Sequence, residues 1–80
     1  MDIYVGNLKY EVRENDLQEM FSEFGEVSKV KIVKDRDTDR SKGFGFVTMD
    51  DTAEATAAIT ALNGKDLNGR AITVNAARPK

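Results

Sequence analysis

The run Lys42-Gly43-Phe44-Gly45-Phe46-Val47-Thr48-Met49 constrains this chain more than any other stretch. Read as a strand, its alternation sets Lys42, Phe44, Phe46 and Thr48 on one face and Gly43, Gly45, Val47 and Met49 on the other. A half-buried strand ordinarily turns its aromatics inward and leaves small or polar residues outside. Here the face with Val47 and Met49 reads as core, and its two glycines leave room for a helix to pack closely. Phe44 and Phe46 then share the opposite face with a lysine. Exposed aromatics beside a positive charge suit flat, negatively charged ligands, single-stranded nucleic acid first among them.

The remaining segments supply a fold around that strand. Residues 2–7 read as a short strand, with Ile3 and Val5 on one face and Tyr4 on the other. Leu17, Met20, Phe21 and Phe24 fall at i, i+3, i+4 and i+7, the stripe of an amphipathic helix over 14–24 that Gly25 would cap. Residues 27–34 alternate as a strand, with Val30 and Ile32 opposite Lys29, Lys31 and Val33, and a charged loop over 35–41 follows. Asp51 and Glu54 form an Asp-x-x-Glu capping pattern for a second helix buried through Ala55, Ala58, Ile59 and Leu62 and ended by Asn63-Gly64. Leu67 packs in a short connection closed by Asn68-Gly69, and a last strand over 71–76 points Ile72 and Val74 inward, Thr73 and Asn75 outward.

The order is therefore βαββαβ. Two right-handed β-α-β units interleaved in this way predict an α+β, ferredoxin-like sandwich: a four-stranded antiparallel sheet of order 4-1-3-2 with two helices on one face. The first and third strands become central neighbours, which gathers Tyr4, Phe44 and Phe46 at the middle of the uncovered face. Contiguous exposed apolar patches of that kind mark binding sites.

Composition narrows the chemistry. Eighty residues are one small domain, and the chain holds no Cys and no His, which removes disulfides, thiolate or imidazole metal ligands and the common catalytic triads. No apolar run approaches the ~20 residues of a membrane span, and the N-terminus lacks a basic region followed by an apolar stretch, so the expected location is cytoplasmic. The net charge of −2 and pI near 5.0 argue mildly against a nucleic-acid partner when read globally. Distribution qualifies that reading. Seven of the fourteen acids lie in residues 1–26, whereas residues 29–42 carry Lys29, Lys31, Lys34, Arg36, Arg40 and Lys42 against three aspartates.

Over essentially its whole length the chain resembles the RNA recognition motif family. Ile3-Tyr4-Val5-Gly6-Asn7-Leu8 fits the family's six-residue motif on the first strand. Residues 42–49 fit the eight-residue pattern [KR]-G-[FY]-[GA]-[FY]-V-x-[FY] on the third at all but the final aromatic, where Met49 stands at an inward position. The resemblance implies an RNA recognition motif domain over 1–76, a tail over 77–80, and a likeness to the small single-domain bacterial RNA-binding proteins. It implies that Tyr4 and Phe46 each stack on a base, that Phe44 packs against sugars, and that Lys42 pairs with a phosphate. Asn75 and Arg78 match positions where main chain and polar side chains read base edges. Lys9, Lys29, Lys31, Val33, Arg36, Arg40 and Lys80 are peripheral contacts by the same resemblance.

The implied partner is single-stranded RNA, with single-stranded DNA a weaker one, bound by a monomer without a cofactor in RNA chaperoning or post-transcriptional regulation. Two departures from the family pattern stand out. Asp39 replaces a turn glycine and adds charge near Lys42. Arg13 occupies the usual Ser/Thr cap position, a loss of roughly 1 kcal/mol unless Asn15 or Asp16 substitutes.

Other readings of the same residues fail on spacing. A dinucleotide-binding fingerprint would need glycine at 48, which is Thr48, and would precede a helix. Asp35-x-Asp37-x-Asp39 opens like a calcium loop, but Arg40 and Phe46 stand where its glycine and glutamate are needed. An acylphosphatase-like or amino-acid-binding domain on this fold needs a phosphate cradle or an intersubunit pocket, whereas Arg13 lies between Glu11 and Glu14, so no enzyme is expected. The alternative is a protein-interaction module on the same fold, which the intact set Tyr4, Phe44 and Phe46 disfavours.

Overall fold

A computed structural model describes residues 1–9, 11–34, 37–38, 41–67 and 69–77, with Ser41 and Lys42 described by their backbone alone. The elements run β1 (Asp2–Gly6), α1 (Glu14–Ser22), β2 (Val27–Lys34), β3 (Ser41–Met49), α2 (Thr52–Leu62), β4 (Asp66–Leu67), β5 (Arg70–Ala71) and β6 (Thr73–Ala76). The long strands form one antiparallel sheet in the order β2-β3-β1-β6, which is the expected 4-1-3-2 order with β6 in the role of the fourth strand. Ile3 lies opposite Val47 and Val5 opposite both Gly45 and Val74, so one alternation set of three strands points to the same side. That side is the core.

Against it pack Leu17, Met20 and Phe21 of α1 and Ala55, Ala58 and Leu62 of α2, all buried together with Ile32, Met49 and Ile72. The two alanines let α2 lie close to the sheet. Fully burying an aliphatic or aromatic side chain contributes about 1.5–3 kcal/mol, so this face carries the stability that the absent disulfides would otherwise supply. Met49 is 0% exposed, so its replacement of the motif's last aromatic is a packing change and not a change in the open face.

Both helices end by devices that differ from one another. Asp51 caps α2 as expected, its Oδ1 accepting from the Glu54 N–H at 3.0 Å. At the other end Gly64 takes the left-handed conformation (φ +84°) and donates to the Ile72 carbonyl at 2.8 Å. Asn63 Oδ1 accepts from the Val74 N–H at 3.0 Å, which ties this helix end to β6. In α1 the Arg13 side chain makes no cap, but the Arg13 backbone N–H donates to Asp16 Oδ2 at 3.0 Å, so Asp16 restores half of a capping box.

Gly25 is not the left-handed cap expected from the sequence. The helix closes at Ser22, and the Phe24 N–H reaches back three residues to the Phe21 carbonyl at 3.0 Å. That tight turn needs no positive φ. Gly25 is small for another reason: a Cβ there would run into the Glu54 side chain of α2.

The glycines of β3 also differ from expectation. They do not make room for a helix. A Cβ on Gly45 would meet the backbone of β2 at Lys31 and Ile32, where the ladder carries an irregularity between Ile32 and Lys34. Gly43 has φ +88°, and its carbonyl accepts from the Leu8 N–H at 2.8 Å, locking the exit of β1 to the start of β3. The last expected strand is likewise shorter, beginning at Thr73 and not at 71. Arg70 and Ala71 pair instead with Leu67 and Asp66 in a separate hairpin, and the Ala71 carbonyl accepts from Asn7 Nδ2 at 2.7 Å. Asp39, Arg36 and Arg40, and the turn proposed for them, lie outside the described residues.

Removing the α2 cap with Asp51→Ala is expected to lower the urea-unfolding free energy by about 1 kcal/mol with an unchanged m-value. Gly45→Ala is expected to cost more, in the range of about 1–3 kcal/mol, because the obstacle is backbone and cannot rotate away.

Candidate nucleic-acid interface

The uncovered side of the sheet is built from the other alternation set. Register places Lys31 opposite Phe46, Phe46 opposite Tyr4 and Tyr4 opposite Asn75, so a single row crosses β2, β3, β1 and β6. Phe44 stands two residues before Phe46 on the same face. The three rings form a closed triangle with centroid separations of 6.0 Å for Tyr4–Phe44, 6.0 Å for Tyr4–Phe46 and 6.2 Å for Phe44–Phe46. Tyr4 and Phe44 are inclined by 29°, whereas Phe46 meets Tyr4 at 67° and Phe44 at 90°. Edge contacts of this kind are worth about 0.5–1.5 kcal/mol per pair. They hold each ring while leaving it half-buried.

Gly6 explains the direction of the tyrosine. A Cβ on Gly6 would overlap the Tyr4 hydroxyl and ring, so the side chain lies along β1 over the glycine and leans toward Phe44. The motif's Tyr-Val-Gly spacing therefore has a steric meaning on the open face, independent of backbone freedom. At β1's end Asn7 takes φ 58°, and its amide bond to Ala71 fixes where the chain leaves the sheet.

Of the residues expected at the site, the structure brings Tyr4, Phe44, Phe46 and Asn75 together on one face, with Asn75 exposed beside Tyr4. The Lys42 backbone lies in β3, while its side chain, Arg78 and Lys80 lie outside the described residues. Lys31, expected only at the periphery, is exposed and in register with Phe46, which makes it the cation across the strand from a ring. Lys29 is exposed opposite Thr48, Val33 is half-buried, and half-buried Lys9 has its ammonium near Gly69.

One polar pair on this face belongs to neither motif's binding positions. Thr48 Oγ1 donates to Asp2 Oδ1 at 2.8 Å, two residues along β3 and β1 from Phe46 and Tyr4. Its only signal in the sequence is alternation, which puts Asp2 on the side of Tyr4.

The fold and this aromatic face define the class, and the chain belongs to the RNA recognition motif family, whose model matches residues 3–73. It is 51% identical over 80 residues to "Putative RNA-binding protein RbpE" of Nostoc sp., a match covering all of this chain and 81% of that protein. It is 49% identical over 78 residues to the "28 kDa ribonucleoprotein, chloroplastic" of Spinacia oleracea, covering 98% of this chain and 34% of that one. Among solved structures, the crystal structure of RNA Binding Protein PG1 superposes with a TM-score of 0.94 at 45% identity, covering 100% of this chain and 99% of that one. The structure of the Rna15 RRM with bound RNA (GU) gives 0.87 at 28% identity, covering 98% and 83%. Among the described residues no helix is long and apolar enough to cross a membrane.

Gly6→Ala is expected to leave the domain folded while pushing the Tyr4 ring off its seat. The readout is a change in the ring-proton shifts and cross-ring contacts of Tyr4 and Phe44 by NMR, with the core methyl signals unmoved.

Proposed function

We propose that this chain is a non-catalytic module that binds short single-stranded RNA on the open face of its sheet. The observation that carries the reading is the ring triangle itself, three half-buried aromatics held 6.0–6.2 Å apart at the centre of a face that neither helix covers. In this reading bases stack on Tyr4 and Phe46, Phe44 packs against the sugars between them, and Lys42 neutralises a phosphate. Asn75 and Arg78 contact base edges. Lys31 adds a second cation beside Phe46. The names of the relatives support the choice of RNA over other flat anions, as does the RNA bound to the Rna15 domain.

Stacking contributes on the order of 1–3 kcal/mol per base. Two or three stacked bases and a few phosphate contacts, less the cost of ordering a flexible strand, give a dissociation constant on the order of micromolar. Such a site spans about two to four nucleotides with limited selectivity, and it contacts DNA through the same rings more weakly where the 2′-hydroxyl is used. Residues 1–76 form the binding unit and 77–80 its tail, acting as a monomer in the cytoplasm. RNA chaperoning or post-transcriptional regulation are roles such a module can serve.

Phe46→Ala and Tyr4→Ala are each expected to weaken binding of a short RNA by about 1–3 kcal/mol while the circular dichroism spectrum stays that of the folded domain. Lys42→Ala is expected to weaken binding evenly across sequences and to flatten its dependence on salt. An NMR titration with randomised short RNA and DNA oligonucleotides tests the reading as a whole. Shifts confined to the helices, or none at all, would overturn it and move weight to a protein-interaction module.

A further inference from the structure

The open face has two chemical halves. Around Gly6 and Phe44 it is aromatic, because Tyr4 leans that way. One row further toward the start of β1 it is polar, and the register reads Lys29 opposite Thr48 and Thr48 opposite Asp2. In that second row the Thr48 hydroxyl donates to Asp2 at 2.8 Å, which fixes the carboxylate in the surface of the sheet. Two residues of strand, about 7 Å, separate the rows. A base laid over Phe46 overhangs its ring and carries an edge across that distance.

An exposed carboxylate on a face that meets RNA needs a reason, since it repels phosphate. Its chemistry supplies one. A carboxylate accepts hydrogen bonds and donates none, and Thr48 occupies only one of its about four acceptor positions. Among the four bases only guanine presents two adjacent donors, N1–H and the 2-amino group, which match the two oxygens of one carboxylate in parallel. Uracil offers one donor between two acceptors, and adenine and cytosine each place an acceptor beside their amino group. On the far side of Thr48, Lys29 carries a donor on a long stem, suited to the O6 and N7 acceptors of the same purine.

We propose that Asp2, positioned by Thr48 beside the aromatic triangle, is a base-edge acceptor that makes this site prefer guanine. The inference rests on the RNA-binding reading above and assigns it a specificity determinant. Asp2 touches the base, and Thr48 acts through Asp2 as a positioning residue. The same charge lowers affinity for strands without guanine, because there the carboxylate has no donor to meet.

The test uses fluorescence anisotropy with uridine octamers carrying one central guanosine, inosine or adenosine, and with the plain uridine octamer. Inosine keeps N1–H and O6 but lacks the 2-amino group, so it removes one of the paired donors. The wild-type chain is expected to bind the guanosine octamer about tenfold more tightly than the uridine octamer, with inosine between them. Asp2→Asn is expected to abolish the difference between guanosine and inosine and to tighten binding of the uridine octamer. Thr48→Val, which keeps the shape and removes the donor, is expected to narrow the guanosine preference without the gain on uridine. Equal binding of guanosine and inosine by the wild type, or an undiminished preference in folded Asp2→Asn, overturns the proposal while RNA binding itself stands. Failure of every octamer to bind overturns the RNA-binding reading and this inference together.

Discussion

The pairing of β1 with β3 is the interaction on which everything else in this molecule depends. One ladder of backbone hydrogen bonds sets Ile3 against Val47 and, one residue along, Tyr4 against Phe46. Because side chains alternate, the first pair faces the helices and the second faces away. A slip of one residue would bury the rings and expose the valines. The core and the site are therefore one register decision, and burial of Ile3, Val5, Val47 and Met49 under the helices holds the site in place at a distance. This is a reason for such a face to tolerate exposed aromatics: the energetic demand for correct register is met on the other side.

Around that ladder the small residues set shape. Gly45 admits the backbone of β2, Gly43 supplies the positive φ that brings Leu8 to β3, and Gly6 provides the floor for Tyr4. In each case the missing side chain is used by a different neighbour: a strand, a loop and a ring. The rings are consequently ordered by contacts already present in the unliganded domain. Ordering them in advance reduces the entropy that a bound strand would otherwise have to offset. The acidic balance of the chain matters less than its sum suggests, because β2 delivers exposed Lys29 and Lys31 to the same side of the sheet as the rings.

Much of this was legible in the sequence because the signals were local and periodic. The stripe Leu17, Met20, Phe21 gave α1, the Asp51–Glu54 spacing gave the start of α2, and alternation gave the faces of all four long strands. Element ends are less legible. Gly25 reads as a helix cap, yet the turn closes without it and the space goes to Glu54, 29 positions further along the chain. Ala71 reads as the beginning of the last strand, yet with Arg70 it pairs with Asp66 and Leu67, which are near in sequence. Both cases turn on a competition between a local rule and a neighbour that periodicity does not name.

By itself the sequence determined the kind of fold and the kind of surface: which faces are apolar, which strand carries the phenylalanines, and that they resemble an RNA-binding motif. Those properties depend on spacing along one segment, and spacing is written in the chain. Only the tertiary structure decided how the face is arranged. It set the ring triangle, the tilt of Tyr4 over Gly6, the row that joins Lys31 to Asn75, and the Thr48–Asp2 hydrogen bond beside them. Apart from the seat of Tyr4 on Gly6 and the Phe44–Phe46 contact within β3, these are contacts between different strands, and register between distant strands exists only once the sheet has formed.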